Sequence, residues 1–466
     1  MAPTKQRAAE THVAWPGAAA SARRRRVGHA PRRWFADVFL AVTGLGLGVV
    51  LALVVTGESR GSLAAPGGWL IAGGRLAGFT GAYLMLIMVV LVARLPWLER
   101  AVGQDRLVLW HRRIAPWALV LIGAHIVLVT LGYAQLAKSG ALHQFWQFLS
   151  SYPDMLAAAV AFGLLVMGGV TSIRRARSHL KYETWWIVHL YLYLALALAF
   201  AHQIVTGVSF IGHPLTKAVW IVVWAATAGM VIVFRVIQPI IRNLRHQLRV
   251  VSVVEEAPGV VSVICAGRQI SWMAVSGGQY FQWRFLTREL WWHSHPYSLS
   301  ALPHPPYVRV TVKGLGDQSR ALAHLRPGTR VFIEGPYGAF TRHARSTEQV
   351  ALIGAGVGIT PLRALLEDLP ASVDVVVVVR ASTVEDIVHR DEIAELVRQR
   401  GGRFHEVVGP RHQVRVGTST LRRLVPDIAH RDVYVCGPDG FTELVVSASS
   451  RLGVPSGNIH EEKFSF

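Results

Sequence analysis

Six stretches of this chain, near 34–56, 68–93, 107–133, 154–172, 183–205 and 216–238, are apolar almost throughout. Most approach the ~20 residues an α-helix needs to cross a bilayer. Lipid offers the backbone no hydrogen bonds, so runs of this length and continuity read as helices. The first half is therefore expected to be a six-span helical membrane bundle. Its connections alternate in charge. One set carries Arg94, Arg100, Arg106, Arg112 and Arg113, then Arg174, Arg175, Arg177 and Lys181; the other has little beyond Arg60, Lys138 and Lys217. The positive-inside rule puts the N-terminus, the basic loops and everything after 238 in the cytoplasm, with the spans in the cell membrane. Residues 1–33, which include four consecutive arginines at 23–26, read as a disordered basic cytoplasmic tail. The stretch is too long and the following run too extended for a signal peptide.

Four histidines lie in these apolar runs: His111 and His125 in the third, His189 and His202 in the fifth. Ionisable groups inside a bilayer are costly and point to function. Both segments run from inside to outside, so His111 and His189 form an inner pair, and His125 and His202 an outer one. Two helices that each offer two imidazoles can hold two haems by bis-histidine ligation, one about 20 Å above the other. Fourteen residues return a helix to within roughly 40° of its starting face, whereas thirteen leave His189 and His202 about 140° apart. The fifth segment is thus expected to need overwinding, a kink or favourable rotamers. Four polar residues bonded to backbone carbonyls is the plainer reading; two matched pairs at compatible depths weigh against it. Arg75, Arg112 and Arg113 lie where haem propionates would emerge, and read equally well as snorkelling arginines.

After 243 the pattern changes. Short β-rich runs at 249–254, 259–265, 307–313 and 330–334, punctuated by Gly and Pro, predict an antiparallel barrel or sandwich. From 349 the order is strand, Gly-rich turn, helix, then the buried-strand run Val373–Val379, an α/β nucleotide-binding pattern. The expected domains are 1–33, the tail; 34–240, the transmembrane bis-haem domain; 241–342, an FAD-binding β-barrel; and 343–466, an NAD(P)H-binding α/β domain. Two cysteines, Cys265 and Cys436, are too few for a disulfide framework or a cysteine metal site. The net charge of +20 sits mostly in the tail and the inner loops, where topology explains it better than nucleic acid.

The soluble half carries four motifs. In His295-Pro296-Tyr297-Ser298, an aromatic ring beside a small hydroxyl suits a flavin, with the ring stacked on isoalloxazine and the hydroxyl near N5. Downstream, Lys313, Gly316 and Ser319 offer a loop for a pyrophosphate, and 334–338 closes the barrel. The turn containing Gly354, Gly356, Gly358, Thr360 and Pro361 lies between strand and helix, the context in which glycines bring backbone N–H groups close to phosphate. Cys436, with Gly437 and Pro438, ends a later strand, where a thiol can sit near a nicotinamide or simply fill space before a turn. The C-terminus offers Phe464 and Phe466, either of which can cover a flavin face or plug the last strand.

On these residues the chain resembles the NADPH oxidase and ferric reductase superfamily. Residues 68–240 look like its ferric reductase-like transmembrane domain, and 244–466 like its ferredoxin–NADP reductase module. His295 stands where soluble relatives usually have arginine and membrane members commonly have histidine. There is no iron–sulfur cysteine cluster and no EF-hand loop, as in a compact bacterial member. The resemblance implies a flavohaem NAD(P)H oxidoreductase holding FAD and two b-type haems. Electrons would pass from NADPH, with NADH as the alternative, through FAD and the haems to an acceptor on the outer face. Oxygen, giving superoxide, is favoured; a ferric chelate is the close alternative, and a relay to a partner protein or quinone is a third. Arg380 and Arg390, near the end of the second nucleotide strand, can meet a 2′-phosphate and tilt the choice to NADPH. His143 and His213 lie in the outer loops, where bystander roles are commoner. A six-span transporter leaves the flavin motifs unexplained.

Overall fold

The computed structural model describes residues 34–207, 210–211 and 213–463. The basic tail at 1–33, Phe464 and Phe466 lie outside the described residues. The chain forms two compact units that divide between Val236 and Ile237.

Among the described residues, the first unit holds six helices long and apolar enough to span a membrane. They are α1 (Trp34–Thr56), α2 (Gly68–Val92), α3 (Gln104–Leu136), α5 (Met155–Ser172), α6 (Tyr182–Thr206) and α7 (Pro214–Val231). The connection between α3 and the fourth span contains a short helix α4 (Ala141–Ser151) that buries Gln144 and Phe148. Helix α2 packs along α3, α5 along α6, and α7 against α2. Glycines set the closeness of the first pair. A Cβ on Gly74 would come within 2.7 Å of Val129 Cγ2, and one on Gly78 within 2.6 Å of His125 Nδ1. The last span does not stop at 238. A π-helical stretch, Ile232–Ile237, leads from α7 into α8 (Gln238–His246). Pro239 has no N–H to donate back along the helix, and the wider turn before it absorbs that loss.

The second unit begins with α8 and a six-stranded antiparallel barrel. Its strands are β1 (Arg249–Ala257), β2 (Val260–Ala266), β3 (Tyr280–Phe285), β4 (His295–Ser298), β5 (Tyr307–Lys313) and β6 (Val331–Tyr337). They form two sheets, β1-β2-β5 and β4-β3-β6, with a short helix α9 (Asp317–Ala321) after β5. Single bridges join the sheets at both edges, Arg249 to Arg330 and Leu299 to Val310. Strand β3 escapes the pattern of β-rich runs because Gln282 and Arg284 interrupt it. Its period of two nonetheless turns Phe281, Trp283 and Phe285 into the barrel core.

The rest is a five-stranded parallel sheet of order β11-β10-β7-β8-β9. Its strands are β7 (Gln349–Ala355), β8 (Asp374–Ala381), β9 (Arg403–Val408), β10 (Asp432–Gly437) and β11 (Ile459–Lys463). Helices α10 (Ile359–Asp368), α11 (Arg390–Gln399) and α12 (Asp439–Arg451) cover it. A sheet buried on both faces needs apolar residues in succession. In β8, Val375, Val377 and Val379 enter one core while Val376 and Val378 enter the other.

Candidate functional site

In the membrane unit, His111 and His125 both lie on α3 and both face α2. His111 Nδ1 is 3.1 Å from the Met88 carbonyl, and His125 Nδ1 is 2.8 Å from the Gly74 carbonyl. A carbonyl only accepts, so each Nδ1 carries the proton and each Nε2 keeps its lone pair, the form that ligates a metal. On α6, His189 lies 6.2 Å from His111, centroid to centroid, with the rings inclined at 62°. It stacks on Trp185 and sits 3.5 Å from Ser172 Oγ. His125 and His202 line one apolar cavity of about 400 Å³, with Arg75, Phe162, Trp220 and Trp224 among its other walls. His202 Nδ1 is buried without a well-formed hydrogen bond.

The pairs therefore come together although α6 is unbroken from Tyr182 to Thr206. Because α6 packs along α5 rather than α3, its imidazoles reach across open space, and the gap takes up the angular mismatch. Among the described residues no group of three or more His, Cys, Asp or Glu gathers; these are pairs. Arg75 is salt-bridged to Glu58 at 2.8 Å and reaches the Tyr133 hydroxyl at 3.4 Å.

In the barrel, β4 places His295, Pro296, Tyr297 and Ser298 beside β3. His293, His295 and Tyr297 form a row of stacked rings with centroids 6.4 and 5.8 Å apart. The Trp283 indole donates to the Tyr297 carbonyl at 3.0 Å. Burial pushes the Tyr297 phenol well above its ordinary pKa, so it stays neutral. The Ser298 hydroxyl is buried with no partner among the described residues. Lys313 ends β5. The loop after it is closed by its own serine: Ser319 Oγ accepts the N–H groups of Leu315 and Gly316 at 2.9 Å each. Those two donors are taken up internally, and the Lys313 side chain beside them is exposed.

At the nucleotide turn, Gly354 is the last residue but one of β7, Gly356–Gly358 forms a 3-10 turn, and Thr360 and Pro361 lie in the first turn of α10. Gly356 has φ +56° and open space where a Cβ would be, so its backbone can be approached from outside. Gly358 has the opposite role: a Cβ there would lie 2.5 Å from the Cys436 carbonyl oxygen. Thr360 Oγ1 donates back to the Val357 carbonyl at 2.9 Å. Cys436 is fully buried in the sheet core, and burial, reinforced by Glu462, pushes its thiol well above the ordinary range. Gly437 follows it, and Pro438 caps α12. Arg380 ends β8 and donates to the Gly409 carbonyl at 2.8 Å. Burial and neighbouring Arg411 lower its pKa, which marks two cations close together. Arg390 is held by Glu406 at 2.8 Å and so is already neutralised.

One feature of this unit has no signature in the sequence. Arg309 on β5, 2% exposed, donates to both carboxylate oxygens of Glu392 on α11 at 2.7 Å. Arg363 on α10 meets Glu392 at 2.8 Å and also pairs with Glu367. Glu367 accepts from the Leu302 N–H at 2.9 Å and bonds His304 at 2.7 Å. Burial alone would raise the Glu392 and Glu367 pKa values. Arg309 and Arg363 outweigh it at Glu392, and His304 and Arg363 outweigh it at Glu367, so both fall to about 2. Fully buried His389, 2.9 Å from Thr311 Oγ1, is kept neutral by burial and by Arg309. This network ties the barrel to the parallel sheet's helices.

Comparison with known proteins matches three successive segments. Residues 77–200 match the ferric reductase like transmembrane component, 245–341 an FAD-binding domain and 352–447 an oxidoreductase NAD-binding domain. A ferredoxin–NADP reductase B of Sorangium cellulosum is 30% identical over 189 residues, which cover 36% of this chain and 77% of that protein. The glycine betaine monooxygenase reductase subunit of Chromohalobacter salexigens is 28% identical over 245 residues, 48% of this chain; the match spans 65% of that relative's length. A putative respiratory burst oxidase homolog protein G of Arabidopsis thaliana is 28% identical over 151 residues, 28% of this chain and 18% of that protein.

Proposed function

We propose, from the premise that this chain belongs to the NADPH oxidase and ferric reductase superfamily and is a multi-pass membrane NAD(P)H oxidoreductase, that it carries electrons from cytoplasmic NADPH to oxygen on the outer face of the cell membrane, yielding superoxide. The observation that carries this reading is the meeting of histidines from α3 and α6 at two levels. An iron about 2 Å from a nitrogen of each ring would set two imidazole centroids roughly 6.3 Å apart, and His111 and His189 stand at 6.2 Å. At the outer level, His125 and His202 share the walls of one apolar cavity. The residues fit two bis-histidine haems, His111 with His189 and His125 with His202.

When bound, FAD would take up a hydride and release single electrons, which haem iron passes on one at a time. The chain's own residues supply position and environment. Met88 and Gly74 fix the tautomer of the α3 imidazoles. Two imidazoles at each level would hold the haem iron and leave no open metal position for the acceptor. Tyr297 and the unpartnered Ser298 hydroxyl would take the flavin ring, with His295 and Pro296 shaping that edge, and Lys313, Gly316 and Ser319 would line the pyrophosphate side. Gly354, Gly356, Gly358, Thr360 and Pro361 would admit the nucleotide phosphates, with Gly437 and Pro438 opposite and Cys436 behind the nicotinamide. Arg380, with Arg411 nearby, favours NADPH over NADH. Phe464 or Phe466 would cover the flavin. The working division remains 34–240, 241–342 and 343–466 after a cytoplasmic tail.

Anaerobic NADPH added to the detergent-purified protein tests the reading. Reduced b-type haem bands that collapse on admitting air, with superoxide detected, are the expected result. Bands that reoxidise only with ferric citrate would make it a ferric-chelate reductase. Bands that reoxidise with neither would point to a partner protein or quinone, and absence of haem bands would overturn the assignment of all four histidines.

A further inference from the structure

We infer that the end of the barrel carrying Trp272, Trp291 and Trp292 is a membrane-surface anchor that rests on anionic lipid headgroups. From Gln238 onward the chain has four tryptophans. Trp283 fills the barrel core, while Trp272, Trp291 and Trp292 are 65%, 54% and 45% exposed. Tryptophan is costly to leave in water and is the side chain most at home where hydrocarbon meets headgroups.

The three are gathered around the C-terminal end of α8. The loop bearing Trp272 is tied to the last residue of α8: the Arg268 N–H donates to the His246 carbonyl at 2.7 Å, and His246 Nδ1 returns a bond to the Arg268 carbonyl at 3.1 Å. The loop bearing Trp291 and Trp292 leaves the end of β3, where Phe285 pairs with Val331, and Val331 N–H in turn donates to the Leu248 carbonyl. Buried Leu290 pins that loop to the barrel core, so the adjacent indoles are held outward, 5.2 Å apart.

Apolar exposure in this unit is concentrated at the same end. Among the described residues from Gln238 on, its large exposed apolar side chains are Ile240, Ile241 and Leu244 of α8, Leu286 and the three tryptophans; Leu315 and Val384 are the two elsewhere. Arg245, Arg268 and Arg288 are exposed around them, against one exposed carboxylate, Glu289. Aromatic and aliphatic tips ringed by arginine match an anionic lipid surface, which attracts cations held near the headgroups. Helix α8 also continues the last span without a break.

The full-length chain allows a direct test. Cys265 and Cys436 are both fully buried, so a thiol-reactive NBD dye should label an introduced cysteine selectively. Trp291→Cys and Trp272→Cys would be labelled separately, with Ser456→Cys on the nucleotide-binding half as reference. Flavin content identifies folded preparations, and either tryptophan site reports if the other fails to fold. In nanodiscs of phosphatidylcholine with about a third phosphatidylserine, the dye at 291 or 272 should shift to the blue. It should lose about half its emission to lipid doxyl-labelled near the headgroups, the depth of ~5–10 Å reached by interfacial groups. Removing phosphatidylserine should weaken the quenching; the dye at 456 should show neither effect. Emission at 291 and 272 matching that at 456 would overturn the proposal. So would a blue shift without lipid quenching, which would place these tryptophans against protein.

Discussion

Replacing Glu392 by Gln isolates the ion network that joins barrel and parallel sheet. The glutamate is shared by Arg309 and Arg363, whose side chains are 2% and 1% exposed. Glutamine keeps the shape and some hydrogen bonding but leaves two buried guanidiniums without their common countercharge. Removing one partner of a buried pair costs about 3–5 kcal/mol. An independent figure comes from proton linkage. The folded carboxyl titrates at about 2 against an ordinary 4.5, and at 1.36 kcal/mol per pKa unit the difference is worth about 3 kcal/mol. Because the unfolded chain takes up the proton first, this contribution is complete above pH 4.5 and disappears as the pH falls toward 2. For a unit of this size, 3 kcal/mol corresponds to a lowering of Tm by roughly 6–12 °C. Thermal release of flavin, followed by fluorescence in detergent at pH 7, should show that drop in Glu392→Gln. Between pH 5 and pH 3 the unsubstituted chain should lose more than the variant does. A variant that melts with the unsubstituted chain at pH 7, or shows the same acid sensitivity, would refute the claim that this carboxylate holds the two parts together.

Three further outcomes follow from the geometry. Gly78→Leu pushes a side chain into His125, so bound haem should fall to about half while the inner level survives, as counted by pyridine haemochrome. Arg380→Ser should cut the preference for NADPH over NADH by about tenfold or more in kcat/KM, as expected on losing a charge-assisted contact to phosphate. Arg390→Ser should leave the ratio unchanged, because Glu406 already occupies that guanidinium. Ser298→Ala removes a buried hydroxyl that has no partner among the described residues; thermal stability should change by less than about 1 kcal/mol, while stopped-flow flavin reduction slows. Equal slowing and destabilisation would make that hydroxyl merely structural.

What the sequence made legible follows from how local each signal is. Apolar length marked the spans, and the glycine turn after β7 marked the nucleotide strand, because each is written in consecutive residues. The histidine pairs were legible as spacing and depth, although helical phase set His189 and His202 about 140° apart; what the sequence did not carry was that α6 packs along α5 rather than α3. Helix α4 was hidden because its apolar face is short and interrupted by polar residues. The network of His304, Arg309, Arg363, Glu367 and Glu392 was invisible. Its members are scattered over β5, α10, α11 and a loop, and each alone looks like an ordinary surface charge. Arg390, prominent in the sequence as a cation, turns out to be paired with Glu406 on the neighbouring strand, a partner that spacing alone does not reveal.

The packing of the membrane unit also bears on how it is made. Helices α2 and α3 are neighbours in sequence and pack together, and so are α5 and α6. Each hairpin can close soon after its second helix is synthesised, without waiting for distant chain. The earlier hairpin emerges with both imidazoles already hydrogen-bonded to α2 carbonyls. Biogenesis can thus supply one prepared half of the bundle before the other exists, and joining the two hairpins around the cavity is the late, non-local step. A mutation that loosens α5 against α6 should therefore delay maturation in the membrane more than it disturbs the first hairpin.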